Sequence, residues 1–133
     1  AGLREMSMEL PVPGILESPF GVFESKIFSY KKQKIEEKKY TKWFDYDKIK
    51  NSPCVRTRRQ GDYLTVNSEG GKKKLNRIFI DEKIPAEMRD RLPVVAVGSE
   101  ILWIPGGRMN EKYKITSTTG RVLELHYQGG ALA

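Results

Sequence analysis

The sequence holds one cysteine, Cys54, and one histidine, His126, among 133 residues. A single cysteine excludes an internal disulfide framework and fits a reducing cytoplasm. One Cys and one His far apart in the chain cannot supply the four ligands of a structural zinc site. A Cys–His nucleophilic pair would need the fold to unite them. Cys54, after Pro53 in a strand-like stretch, reads more simply as a small half-buried residue. No apolar run approaches the roughly 18 residues that span a bilayer. The start, Ala1 to Pro13, lacks a basic stretch followed by an apolar core, so no signal peptide is read there. Ala rather than Met at the first position leads us to expect a piece of a larger protein. There is no Walker loop: Gly70-Gly71-Lys72 offers a glycine pair and lysines without the required spacing. A Rossmann fingerprint is missing too, as is the Ser-Gly-Gly-x-Asp-Ser loop with which ATP pyrophosphatases hold nucleotide phosphates. Asp81 and Glu82 read as surface charges ending a helix rather than as an acid/base pair. No catalytic or metal-ligating residue is therefore assigned.

What the chain does have is positive charge, +7 overall from 24 Lys and Arg against 17 Asp and Glu. Such an excess serves plain solubility, and it also suits a polyanionic partner. Its distribution favours the second reading. Lysines crowd Lys26 to Lys42 with only Glu36 and Glu37 against them. Lys48 to Arg59 holds five basic residues and no acid, and Lys72, Lys73, Lys74 and Arg77 form a third cluster. The acids gather elsewhere, at Asp81, Glu82, Glu87 and Asp90.

The local patterns alternate between strand and short helix. Met6 to Val12 reads as a first strand ended by Pro11, Pro13 and Gly14, and Pro19 and Gly21 frame a turn. Val22 to Tyr30 alternates apolar and polar positions as a half-buried strand does. Lys31 to Lys39 is nearly all polar and is expected to be a mobile loop or arm. Tyr40 to Tyr46 reads as a returning strand, followed by one helical turn from Asp45 or Asp47. Cys54 to Arg59 alternates, with Val55 and Thr57 facing one way and Arg56 and Arg58 the other. Gly61-Asp62 is a turn, Tyr63 to Val66 a strand, and Asn67 to Gly71 a loop. Leu75, Ile78 and Phe79 fall at helical spacing and predict a helix over Lys74 to Asp81. Pro85 and Pro93 bracket a second helix. Val94 to Val97 and Glu100 to Ile104 flank Gly98-Ser99 as a hairpin. Lys112 to Thr116 and Val122 to Tyr127 complete the strands around a Thr-Gly turn. Strands outnumber helices and no long linker divides the chain, so the fold class expected is α+β in a single domain. Phe23, Phe28, Trp43, Phe44 and Trp103 are read as core. The lack of an aromatic RNA-binding motif on a strand then favours recognition of a duplex by backbone and shape.

The candidate nucleic-acid contacts are basic side chains on ordered elements. Arg56, Arg58 and Arg59 form a strand-borne row that would present planar guanidinium groups to phosphates. Lys72, Lys73 and Lys74 precede the helix that carries Arg77, where N–H groups and the helix dipole also attract anions. Arg89, Arg91 and Arg108 stand nearby. Some arginines are expected to pair within the domain with Asp62, Asp81 or Asp90, and Arg58 with Asp62 is the first pair expected.

Several stretches carry a resemblance. Val55-Arg56-Thr57-Arg58-Arg59-Gln60-Gly61-Asp62 resembles the V-R-T-R-R-x-G-D opening of the C-terminal domain of bacterial tRNA(Ile)-lysidine synthetases. Lys73-Lys74-Leu75-Asn76-Arg77-Ile78-Phe79-Ile80-Asp81-Glu82-Lys83-Ile84-Pro85 is similar to that family's K-K-L-K-x-x-F-I-D-x-K-I-P. Arg89-Asp90-Arg91-Leu92-Pro93 matches R-D-R-x-P, and Ile101 to Gly106 with Arg108 resembles I-x-W-V-P-G-x-R. The motifs run in order over roughly Val55 to Tyr127. The chain departs from them at Gln60, where Pro is frequent, at Asn76, where Lys is frequent, and at Tyr63 to Val66, which replace an arginine-rich continuation.

The resemblance implies a layered α+β fold containing a β-sandwich of unusual topology, similar to a domain of the phenylalanyl-tRNA synthetase β chain. It implies a module that binds the acceptor stem of an isoleucine tRNA. The parent ligase would use ATP and Mg, both held in an N-terminal catalytic domain of the same chain, to attach lysine to the wobble cytidine and form lysidine. No cofactor is expected in this region, and alone it is expected to be inactive. The site residues so implied are Arg56, Arg58, Arg59, Lys72, Lys73, Lys74, Arg77, Arg89, Arg91 and Arg108. The alternative is a module that positions the catalytic domain or forms a homodimer, its basic surface incidental.

Overall fold

The computed structural model describes residues 6–36 and 38–129. Among the described residues seven strands are followed by two α-helices and three further strands. They are β1 (Ser7–Glu9), β2 (Gly14–Ser18), β3 (Gly21–Ser29), β4 (Thr41–Asp45), β5 (Cys54–Arg56), β6 (Tyr63–Thr65), β7 (Lys72–Lys74), α1 (Leu75–Asp81), α2 (Ala86–Arg89), β8 (Val94–Val97), β9 (Glu100–Trp103) and β10 (Arg121–Gly129). The expected α+β class is what the chain adopts. The chain divides into two compact units, Ala1–Glu9 with Pro53–Lys112 and Leu10–Ser52 with Tyr113–Ala133.

The first unit holds a six-stranded sheet in the order β1-β5-β8-β9-β6-β7. Its pairings are antiparallel except β6 with β9, which run parallel where Tyr63 meets Glu100. The Gly98-Ser99 turn joins β8 to β9, and Gly98 takes φ +58, which a side chain would disfavour. One face of the sheet is covered by α1. Leu75, Ile78 and Phe79 from the predicted apolar stripe pack with Leu64, Val94, Ala96, Ile101 and Ile104. Burial of each of the larger of these side chains contributes about 1.5–3 kcal/mol.

Two segments differ from expectation. Lys72–Lys74, expected only to precede the helix, pair antiparallel with Tyr63–Thr65 and form an edge strand. Lys112 to Thr116 is not a strand; a 3-10 turn over Glu111–Tyr113 stands there.

The second unit is a four-stranded antiparallel sheet in the order β2-β3-β10-β4. Its inner face carries Phe23, Phe44, Leu123, Leu125 and Tyr127, all buried. Strand β2 was not expected from the sequence. Phe28 and Trp43 correct the core expectation: both are half-buried on the outer face, whereas Phe23, Phe44 and Trp103 are fully buried. The stretch 31–39 has no regular structure in its described residues; Glu37 lies outside them. Among the described residues no helix is long and apolar enough to cross a membrane.

Tyr127 anchors the inner face, its hydroxyl donating to the Phe20 carbonyl at 2.6 Å. Burial, with Tyr40 adding to it, pushes the phenol above its ordinary value of 10.0. The native state thus favours the neutral phenol. Its contribution is full below pH 10 and is lost as pH rises through the raised folded value. Tyr127→Phe is expected to cost about 1 kcal/mol at neutral pH and to flatten the alkaline decline in stability. Urea denaturation at neutral pH and at about pH 10.5 checks both; an unchanged alkaline slope in the variant would contradict the assignment.

Candidate nucleic-acid interface

All ten predicted contact residues lie in the first unit, yet the structure divides them into distinct groups. Arg56 is not a surface group. Its side chain is 1% exposed, and its guanidinium grips Asp62 with both terminal nitrogens at 2.8 Å. It also donates to the carbonyls of Thr57 and Gly98. Burial alone would lower the Arg56 pKa, but the bond to Asp62 and its charge outweigh that and raise it above the ordinary value. Cys54 and Arg56 stand opposite Ala96 and Val94, whose side chains belong to the core beneath α1. Val55 and Thr57, on the other side, are buried as well. The expected alternation runs as a strand only over Cys54–Arg56, and the sequence does not show that both its faces are covered.

The sequence reading paired Asp62 with Arg58; the structure pairs it with Arg56. Chain geometry sets this up. Residues 59–62 form a turn in which the Asp62 N–H donates to the Arg59 carbonyl at 3.2 Å, with Gly61 at φ +91. That is the position in such turns where glycine is needed. The Asp62 carboxylate then faces inward and also accepts the Arg59 N–H at 2.7 Å.

Arg58 is half-buried and held between the two helices: Nε donates to Asp90 and Nη1 to Asn76, each at 2.9 Å. Asn76, where the resembling family often has Lys, therefore serves as an acceptor for an arginine. The lysine triplet is split by strand alternation. Lys73 stands opposite the buried Leu64 on the face that α1 covers, and it pairs with Asp81 at the helix end. Arg77 reaches the same carboxylate at 3.2 Å. The Asp81 carboxyl is held below its ordinary value first by the Lys73 bond and then by the Lys73 and Arg77 charges. Lys72 and Lys74 are exposed on the opposite face, where the Lys72 ammonium lies 5.3 Å from the centre of the Tyr63 ring. The N-terminus of α1 offers no free anion site through its first N–H, because Leu75 donates to the Asp62 carbonyl at 2.9 Å.

Arg89 is half-buried and donates to the Ile84 carbonyl at 2.9 Å, bracing the link between the helices. Arg59, Arg91 and Arg108 are exposed in turns. Among the described residues, Arg59, Lys72, Lys74, Arg91 and Arg108 have no carboxylate partner. The unit thus presents unneutralised cations on ordered backbone, with Lys73 and Arg77 sharing a single carboxylate between them. Chemically it can hold phosphates in fixed positions. The described residues contain no cluster of three or more His, Cys, Asp or Glu suited to a metal ion.

Comparison with known proteins places this chemistry in context. The family model described as the TilS substrate C-terminal domain matches residues 54–125. The tRNA(Ile)-lysidine synthase of Caldanaerobacter subterraneus subsp. tengcongensis is 50% identical over 88 residues, 66% of this chain and 19% of that protein. The Geobacillus kaustophilus tRNA(Ile)-lysidine synthase is 37% identical over 131 residues, 96% of this chain and 28% of that protein. The crystal structure of a TILS C-terminal domain superposes with a TM-score of 0.77 at 33% identity, covering 93% of this chain and 96% of the other. The chain spans about a fifth of the length of the first of these relatives.

Proposed function

The chain belongs to the TilS substrate C-terminal domain family, and from that premise we propose that its first unit grips the acceptor stem of an isoleucine tRNA. The observation that carries the reading is the set of exposed cations, Arg59, Lys72, Lys74, Arg91 and Arg108, without carboxylate partners among the described residues. Ordered cations of this kind neutralise phosphates, whose contacts position a protein on a duplex without reading its sequence. Arg58, braced by Asp90 and Asn76, joins them as a pre-oriented guanidinium. Arg56 and Arg89 act from within, shaping the turn and the helix connection. In the wider reading the parent protein is a cytoplasmic ligase. A catalytic domain of the same chain would bind ATP and Mg and attach lysine to the wobble cytidine of the held tRNA, forming lysidine.

The test is a titration of this chain against an isoleucine acceptor-stem minihelix and an unrelated minihelix. Tighter binding of the first supports a discriminating grip, and equal binding of both a general stem clamp. Binding of neither, together with self-association in sedimentation, would replace the proposal with a positioning or homodimerising module. A finer expectation concerns Asp81. Asp81→Asn frees Lys73 and Arg77 and should tighten stem binding. The slope of log affinity against log salt should steepen by about 0.7 to 0.9 for each cation that then meets a phosphate. Weaker binding in this variant would show that the Lys73–Asp81–Arg77 arrangement is itself what the RNA needs.

A further inference from the structure

The outer face of the second unit carries a cleft that the stem grip leaves unused. It is open, about 210 Å³ in volume, and lined by Lys34, Glu36, Lys38, Thr41, Trp43 and Glu124. That is below the roughly 300–1,000 Å³ of pockets for drug-sized ligands, and suits one planar ring system. Trp43 is fixed in two ways. Phe28 meets it edge-on at 4.9 Å and 75°, and its Nε1 donates to Glu124 Oε1 at 2.9 Å. The sheet register explains why these groups meet. Glu124 on β10 stands opposite Trp43 on β4 and Lys26 on β3, and Phe28 stands opposite the neighbouring Val122. Thr41 is held as well, its hydroxyl 2.7 Å from His126 Nδ1.

The charges narrow the occupant. Two ammonium groups, Lys34 and Lys38, are matched by two carboxylates, Glu36 and Glu124, and Lys38 lies 3.4 Å from Glu36 in an exposed and therefore weak pair. A bare anion gains little from such a balance. A neutral ring does better if it stacks on the indole, offers an amino group to a carboxylate and trails a phosphate that the lysines can reach. Those are the parts with which proteins capture unpaired bases: an aromatic face, a base-edge acceptor and backbone cations. A carboxylate accepts from an exocyclic amine, as Glu does from cytosine N4, and finds no such donor on uracil position 4. We propose that this cleft takes one unpaired RNA nucleotide with an amine-bearing base. The base stacks on Trp43, its amine donates to Glu124, and its phosphate lies against Lys34 and Lys38. The inference rests on the reading that the chain binds tRNA, and adds a single-stranded subsite to the duplex grip.

Tryptophan fluorescence reads the cleft directly, because Trp103 is fully buried in the other unit and Trp43 lines the opening. Cytidine 5′-monophosphate is expected to quench the emission at a concentration at least tenfold lower than uridine 5′-monophosphate does. Glu124→Gln, whose amide can donate to the uracil carbonyl, should narrow that ratio to within about threefold. A labelled single-stranded oligonucleotide of cytidine and adenosine should bind at least tenfold more tightly than oligouridine of the same length. Trp43→Leu should erase that difference, with its thermal unfolding measured alongside to show that it folds. Stem binding with no such difference, or with no quenching by nucleotides, would overturn this inference and leave the stem grip standing. The difference without any stem binding would keep the cleft and remove the grip. Equal quenching by the two nucleotides would overturn the role given to Glu124.

Discussion

Lys72→Glu combined with Lys74→Glu is expected to weaken binding of a stem-loop RNA by at least roughly 25- to 60-fold at about 0.1 M salt. That range is the loss from removing two phosphate contacts alone, each worth a slope of about 0.7 to 0.9. These two lysines are chosen over Lys73 because of the strand register. Lys72 and Lys74 are exposed on one face of the edge strand β7, while Lys73 turns to the other face and is already engaged by Asp81. Substitutions at such surface positions change stability by about 0.5 kcal/mol or less, so the loss should appear in affinity and in the salt slope but not in the unfolding midpoint. Fluorescence anisotropy with labelled RNA and a denaturation curve for the same variant measure the two effects. Unchanged affinity in a folded double variant would remove this edge from the interface.

Arg56→Ala should act in the opposite way, through stability. Removing one partner of a buried ion pair leaves an uncompensated charge and costs about 3–5 kcal/mol. Asp62 would be that charge, buried to 4% exposure, and among the described residues only the Arg59 N–H would still donate to it. Arg56 itself does not reach solvent, so RNA affinity should fall only as far as the unit unfolds. Replacing both partners by apolar residues of similar volume, Arg56→Met with Asp62→Leu, should recover most of the loss. Chemical denaturation of the single and double variants distinguishes the cases. A single variant of native stability with weakened RNA binding would restore Arg56 to the interface, against its burial.

Much of the fold is legible in the sequence where one periodicity acts alone. The Leu75, Ile78 and Phe79 stripe marks α1, the alternation from Val22 marks β3, and Gly98-Ser99 marks the β8–β9 hairpin. The misses have physical reasons. The strand β2 is flanked by Pro13, Gly14, Pro19 and Gly21, which read as turns, and its order comes from pairing with β3. Lys72–Lys74 have no strand propensity to show; backbone bonds to Tyr63–Thr65 make them a strand. The family resemblance located the basic residues. It could not tell which of them are solvent-facing, since that depends on how the strands and α1 pack, and so Asp62 pairs with Arg56 rather than with the expected Arg58. The cleft around Trp43 was hidden because an aromatic residue in a strand reads as core, and only the packing of the sheet shows that Trp43 lies half-buried on its outer face.

If the exposed cations of the first unit hold a tRNA stem, dissociation constants of this chain for the isoleucine acceptor-stem hairpin will depend on salt between about 50 and 200 mM. Three to five phosphate contacts predict a straight line of log affinity against log salt with a slope between about −2 and −4.5. The slope should become shallower by about 1.4 to 1.8 in the Lys72→Glu, Lys74→Glu variant. Affinity that stays flat across this range, or a slope identical in the variant, would contradict that reading.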